Sequence, residues 1–178
     1  MTPFPVEFLS VPNTFPVEFR DMPLLMPPDM LAPNNAAHDW MIASTWRSPA
    51  IDGQQVCFRP GRIGADGLWH GFYTDGISIP WYAQPLIRLT PFSMPELGPC
   101  IEHDGGYGAQ LFPRATCDLR LRAALETVGV SAFRRDLIYK SVDEFGGGVW
   151  DAHTPESIAL SRQFCQLVNV GAEPVWAD

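Results

Sequence analysis

The chain has 178 residues, 46% of them hydrophobic and 12% aromatic, which is enough to build the core of one domain. Its formal net charge of −8 excludes a broad nucleic-acid surface, because phosphate binding needs clustered Lys and Arg. No run approaches the roughly 18 apolar residues of a membrane-spanning helix, and the N-terminus lacks the basic start and apolar core of a signal peptide. The sequence therefore predicts a cytosolic origin and no transmembrane segment.

The first 38 residues are rich in proline and contain the pentapeptide Phe-Pro-Val-Glu-Phe twice, eleven positions apart. Proline fixes φ and removes a backbone donor, so this segment is predicted to run extended. It is too apolar for a plain solvated linker. We interpret residues 1–38 as a docking arm and residues 39–178 as a single domain. The arm is expected to dock on its own domain or on a neighbouring subunit, through the aromatic anchors Phe4, Phe8, Phe15 and Phe19.

Short runs rich in aromatic and β-branched residues follow the arm, and Asp-Gly turn signals separate them. They predict a small antiparallel meander with strands at 40–46, 55–59 and 68–74. The last strand leads into an Asp-Gly turn and an Ile-Pro exit, which places Asp75 and Ser78 on a tight loop. Either these two polar residues belong to a functional site, or their side chains only form hydrogen bonds with the backbone of the loop.

The densest group of proton-transfer and metal-binding side chains lies within residues 100–108. If this stretch is helical, Cys100, His103 and Tyr107 share one face, and Asp104 points about 100° away. A turn or a glycine-loosened helix is the alternative, because each of the three glycines in the stretch costs roughly 1 kcal/mol in a helix interior.

Apolar residues at helical spacing predict three further helices. A stop at Gly129 ends the first, and a run of three glycines after Phe145 ends the second. Asp118, in the first of these helices, projects toward the buried side. The predicted class is α+β: a small antiparallel sheet packed against three to four helices, behind an extended proline-rich N-terminal arm. The three helices are expected at 117–128, 131–145 and 154–168.

The four cysteines and the three remaining histidines lack the spacing of a metal or redox motif. The cysteines are widely separated and are interpreted as reduced, mostly buried residues. His38, His70 and His153 are single residues without ligand spacing, so surface or capping roles are expected for them.

Four groups of motif residues come in a definite order along the chain. They are Thr74 to Pro80, His103-Asp104 with Tyr107, Asp118 with Leu125 and Gly129, and Tyr139, Val142, Phe145 and Gly146 with Trp150. This order resembles a family of tailed-phage and prophage proteins catalogued as domain of unknown function 1353. The resemblance covers about residues 54–150 and implies a bacteriophage virion protein of the tail or head-to-tail region, assembled in the host cytoplasm. Its partners would be other virion proteins or copies of itself.

The chain departs from the pattern of that family in two places. Gly105 and Gly106 replace the apolar residues usual between His-Asp and Tyr, and Cys117 stands where alanine is common. The glycines would loosen the helix that carries His103.

The His-Asp-x-x-Tyr segment also resembles the catalytic helix of phospholipase A2. This resemblance implies a hydrolase with His103 as general base, Asp104 as a calcium ligand and Asp118 as the carboxylate that orients the histidine. Asp75 on the nearby loop is a second candidate ligand for a divalent cation such as calcium. The glycine-rich calcium loop and the dense disulfides of the secreted enzymes have no counterpart in this chain.

Two other interpretations of these residues stay open. In the first, these residues form a buried polar network that fastens the sheet to the helices. Unsatisfied buried polar groups cost roughly 1 to 3 kcal/mol each, so such groups must find partners among one another. Alternatively, they form a divalent-metal site. Two hypotheses of function follow: a virion structural protein whose arm docks on neighbouring subunits, and a phage-encoded phospholipase- or esterase-like hydrolase for envelope passage or lysis.

Overall fold

The computed structural model describes residues 23–27, 40–77 and 95–176. The predicted anchors of the arm (Phe4, Phe8, Phe15 and Phe19) lie outside these ranges, and so does Ser78. The described part is α+β, with short antiparallel strands and four helices, which confirms the predicted class. No helix in these ranges is long and apolar enough to span a bilayer.

The helices and strands of the described part are numbered in chain order. The strands are β1 (Leu25–Met26), β2 (Trp40–Ile42), β3 (Trp46–Arg47), β4 (Gln54–Phe58), β5 (Arg62–Ile63), β6 (Trp69–His70), β7 (Tyr73–Thr74) and β8 (Cys165–Asn169). The helices are α1 (Leu97–Gly108), α2 (Arg114–Thr127), α3 (Ala132–Asp151) and α4 (Pro155–Phe164), which lies between α3 and β8.

The strands form three small antiparallel sheets instead of the single predicted meander: β1-β2-β7, β3-β4-β8 and β5-β6. The predicted strand at 40–46 is divided between two of these sheets. Between the two strands, the Ser44 hydroxyl accepts a hydrogen bond from the Leu24 amide at 2.8 Å, where a backbone partner would continue the ladder. The run at 68–74 is likewise split into β6 and β7.

The last predicted helix is correct at its start and wrong at its end. Thr154 caps it as expected, since its side chain accepts from the Ser157 amide. The helix ends at Phe164, which is fully buried, and the chain then turns extended. Residues 165–169 form β8 and pair with all five residues of β4, because β4 needs a second neighbour for its backbone hydrogen bonds.

Two glycine-rich segments stay helical where the sequence predicted loosening or termination. α1 continues to Gly108, and α3 passes through its glycine run to Asp151, so the predicted end after Phe145 is wrong. The reason is tertiary packing, which outweighs helix propensity. A Cβ atom at Gly105 would lie 2.6 Å from the Phe58 ring, and one at Gly146 would lie 2.6 Å from the Tyr107 hydroxyl.

Helix α1 lies between two hydrophobic clusters. Ile101 and Leu97 join the first cluster, which is built on the sheets and includes Phe58. Cys100 joins the second cluster, which α2 and α3 complete. All four cysteines are buried and free, as predicted.

A buried ion pair fastens α1 to α2. The Arg120 guanidinium lies 2.9 Å from Glu102, and both side chains are less than a tenth exposed. Arg120 also donates to the Ile51 carbonyl at 3.2 Å, which ties the helices to the strand region. Burial raises the pKa of Glu102 above its ordinary value, although the charge of Arg120 acts in the opposite direction.

The packing of α1 predicts opposite effects for two glycine substitutions. Gly105→Ala forces a methyl group against Phe58 and should lower the free energy of unfolding by about 1–3 kcal/mol. The matched control, Gly147→Ala, meets open space in a helix interior and should raise it by about 0.5–1 kcal/mol. Urea unfolding of both variants measures the difference, and equal effects would contradict the close approach at Gly105.

Candidate functional site

A cavity of about 770 Å³ lies among β7, α1, α3 and α4. Its walls are largely apolar, with a small number of polar groups, as is usual for small-molecule sites. The apolar walls include Phe72, Ile77, Ile138, Val142, Phe145 and Leu160. The polar groups include Thr74, Asp75, His103, Asp104, His153 and Ser161.

His103 on α1 is held by Asp118 on α2. The Nε2 atom of His103 lies 2.9 Å from Oδ1 of Asp118, and the two side chains are 9% and 1% exposed. The predicted burial of Asp118 is therefore confirmed. The carboxylate accepts, so Nε2 carries the ring proton and Nδ1 keeps a lone pair. Nδ1 makes no hydrogen bond to any residue in the described ranges.

Two more side chains hold Asp118 in place. The Tyr107 hydroxyl donates to Oδ1 at 2.6 Å, and the Arg114 guanidinium approaches Oδ2 at 3.5 Å. The sequence analysis missed Arg114, although its position four residues before Asp118 on the same helix was a usable signal. It also gave no role to Trp150, whose ring packs edge-on against Tyr107 at 5.2 Å.

These contacts determine the protonation states of Asp118 and Tyr107. Burial alone would raise the pKa of Asp118, but hydrogen bonds from His103 and Tyr107, with the charge of Arg114, outweigh it and lower the pKa below 3.8. Burial, followed by the adjacent carboxylate, raises the pKa of Tyr107 well above 10. Asp118 is thus an anion at neutral pH, and Tyr107 stays protonated as a donor.

The Asp75 turn is tied to α1 on another wall of the cavity. Thr74 donates its hydroxyl proton to Asp104 and accepts a hydrogen bond from the Gly76 amide at 3.0 Å. Asp104 and Asp75 both line the cavity.

The described acidic side chains near this turn do not by themselves complete a calcium site. Within the described ranges, no group of three or more His, Cys, Asp or Glu side chains is placed to hold a metal ion. Calcium takes six to eight oxygen ligands, and one oxygen of Asp104 already accepts from Thr74. The calcium role of Asp104 and Asp75 stays a prediction, and no step proposed below passes through a metal.

Cys100 lines the cavity but is unsuited to act as a nucleophile. Burial, together with the charges of Asp104, Glu96 and Asp75, raises the pKa of its thiol well above 9.0. Burial and the neighbouring Asp118 likewise raise the pKa of Cys117 to about 12. Both residues are therefore thiols at neutral pH, and a thiolate is the reactive form.

The structure separates two histidines that the sequence analysis treated alike. His70 is partly exposed and pairs with Asp66 at 2.8 Å, in keeping with a surface role. His153 lies on the wall of the cavity instead. Ser157 and Ser161 follow it at intervals of four residues and also line the cavity, which is the sequence signal that could have placed it. His38 lies outside the described residues.

The lowered pKa of Asp118 predicts a pH-dependent contribution to stability. The contribution is present above pH 3.8 and is lost as the pH falls through the lower folded-state pKa. Asp118→Asn should therefore be less stable than the wild type at pH 7, by roughly 1–3 kcal/mol, and the difference should shrink at pH 3. Urea unfolding across this range measures it. Asp151→Asn, on an exposed carboxylate, is the control, and a pH-independent loss in Asp118→Asn would contradict the assignment.

Residues 65–142 match the model of the family described as Protein of unknown function (DUF1353). No curated protein and no solved structure matches the chain. The matched segment includes His103, Asp104 and Asp118, and it ends before Gly146 and His153. The resemblance to this family is therefore confirmed for the part of the chain that carries the histidine and its carboxylate.

Proposed function

We propose that the protein is a hydrolase that cleaves an ester with an apolar acyl group, with His103 as general base. One observation carries the proposal: a histidine oriented by a buried carboxylate lies on the wall of a large, mostly apolar cavity. This is the phospholipase- or esterase-like activity that the His-Asp-x-x-Tyr resemblance implied.

The chemistry follows from the orientation of the imidazole. Nδ1 of His103 accepts a proton from a water molecule, and the water oxygen attacks the ester carbonyl carbon. Asp118 holds the ring and stabilises the imidazolium that forms, in the role that a carboxylate has in hydrolytic triads. Tyr107 and Arg114 act as positioning residues, since they contact Asp118.

Water is the best-supported nucleophile in this cavity. Cys100 is a thiol at neutral pH. The hydroxyls of Ser141 and Ser157 donate to backbone carbonyls within their own helical segments, at 2.9 and 3.0 Å. The protons of these two hydroxyls are directed away from a base, and we take direct attack by water, not an acyl-enzyme route through the remaining serine Ser161, as the proposed route.

The apolar walls favour an apolar acyl group as the part of the substrate that binds. Phe145, Val149 and Leu160 line the cavity and are 50%, 59% and 42% exposed, so they form an apolar rim at its mouth. Seating an acyl chain against this rim and the walls would remove apolar surface from water. The bound acyl chain would also exclude bulk water from the ester carbonyl of the substrate, which would lie next to His103.

A second candidate function is a virion structural protein, with residues 1–38 docked on neighbouring subunits. The repeated Phe-Pro-Val-Glu-Phe sequence favours it, because an aromatic arm of this length needs an apolar surface to pack on. A virion component and a hydrolase for envelope passage are compatible in one chain.

The hydrolase proposal predicts that His103→Ala lowers hydrolysis of a p-nitrophenyl ester of a medium-chain fatty acid by about 10²–10⁴-fold. His70→Ala is the matched control, because His70 lies outside the cavity and should leave the rate unchanged. Release of p-nitrophenol measures the rate, and thermal unfolding shows that each variant folds. Equal rates for His103→Ala and the wild type would contradict the proposal.

The structural proposal predicts that deletion of residues 1–22 abolishes incorporation into phage particles and leaves the rate of ester hydrolysis unchanged. This deletion removes the four aromatic anchors and keeps β1, which pairs with β2 in the domain. The physical reason is that the anchors of the arm supply the apolar contacts with neighbouring subunits, whereas the cavity lies in the remaining domain. Purified particles and the free truncated chain are assayed separately. Particles that contain the truncated chain at the normal level would rule out a docking role for the arm.

A further inference from the structure

We infer that His153 is a second catalytic residue, which donates a proton to the alcohol oxygen that leaves the ester. The inference rests on the proposed hydrolysis and adds to it the chemical class of the leaving group. Its basis is the position of a second imidazole in the cavity of His103, which no side chain or backbone group of the described residues holds by a hydrogen bond.

The two histidines are joined by a continuous series of aromatic contacts. The ring of His103 lies 4.2 Å from that of Tyr107, and Tyr107 packs edge-on against Trp150 at 5.2 Å. Trp150 is in the last turn of α3, and its carbonyl accepts from the His153 amide at 3.4 Å. This packing places the turn that carries His153 beside the helix that carries His103, and both side chains line the cavity.

The two imidazoles differ in how they are held. Asp118 fixes the ring of His103. The side chain of His153 has no hydrogen-bond partner within the described ranges, and its Nδ1 atom is buried without one. An unsatisfied buried polar atom costs about 1–3 kcal/mol, which a ring held only for packing would avoid. Nε2 of His153 is not buried in this way, so it is the ring nitrogen that faces an open space and gives its proton to the substrate.

With His103 as general base and His153 as general acid, every proton and bond of the hydrolysis is accounted for. Neutral His103 takes a proton from water as the water oxygen bonds to the carbonyl carbon. The bond from that carbon to the alkoxy oxygen then breaks, the oxygen keeps the electron pair, and protonated His153 gives it a proton. An acid and an alcohol are released. His103 ends protonated and His153 neutral, and proton exchange with solvent restores both.

A general acid at the leaving oxygen implies esters of aliphatic alcohols. An aliphatic alkoxide is strongly basic and leaves slowly unless it is protonated as the bond breaks. A p-nitrophenolate is stable as an anion and needs no proton. His153 should therefore matter for an alkyl ester and matter little for a p-nitrophenyl ester of the same acid.

The experiment compares the wild type, His153→Ala and His153→Gln on the ethyl and p-nitrophenyl esters of one medium-chain fatty acid. We expect both variants to lose about 10²-fold on the ethyl ester and to stay within a few-fold of wild type on the p-nitrophenyl ester. His153→Gln preserves a polar side chain of similar size without an acidic proton. His70→Ala serves as the control and should leave both rates unchanged.

The outcomes separate this inference from the hydrolase proposal. Equal losses on the two esters would show that His153 has a structural or binding role only, and unchanged rates would show that it has none. Either result overturns the inference and leaves the role of His103 in place. Failure of the wild type to cleave either ester would overturn the proposed hydrolase, and the role of His153 with it.

Discussion

The buried carboxylate of Asp118 is the constraint on which the arrangement of helices depends. A carboxylate out of water must be matched by donors, because its desolvation costs several kcal/mol. Three side chains supply them: His103 and Tyr107 from α1, and Arg114 from its own helix. Arg114 also donates to the Asp143 carbonyl on α3. One negative charge therefore sets the relative positions of α1, α2 and α3.

Such a network needs helices that approach closely, and glycine makes this possible at two places. Gly146 leaves room for the Tyr107 hydroxyl, without which Tyr107 could not reach Asp118. Gly105 leaves room for the Phe58 ring, so α1 packs directly on the sheet beneath it. Polar satisfaction and close packing thus require one another, which accounts for glycine at positions 105 and 146 inside helices.

The sequence predicts those features that depend on local chemistry. The stop at Gly129 is one, since this residue has a φ of +81° that favours glycine. The start of α4 at Thr154 is another. Features that depend on distant partners could not be predicted, such as β8, whose pairing with β4 appears only in three dimensions.

The same distinction holds for the candidate site. His103, Tyr107 and Asp118 were recognisable because they lie within two adjacent helices whose faces can be drawn from the sequence. His153 was not, because its position depends on α3 continuing through three glycines that normally end a helix. The tertiary contact between Gly146 and Tyr107 is not visible in a linear pattern. The local sequence pattern therefore singled out His103 as a candidate site residue and did not single out His153.

The pairing of β4 with β8 also bears on how the protein is made. These strands lie more than a hundred residues apart in the chain, as with Gln54 and Asn169. A ribosome releases the N-terminal residues first, so β4 must wait for nearly the whole chain before its second neighbour exists. The helix α4, which completes the cavity wall, emerges just before that strand. The cavity thus closes only when synthesis is almost finished, and long-range pairing of this kind makes folding slow. A nascent chain should therefore hold His103 and Asp118 well before it holds the complete cavity.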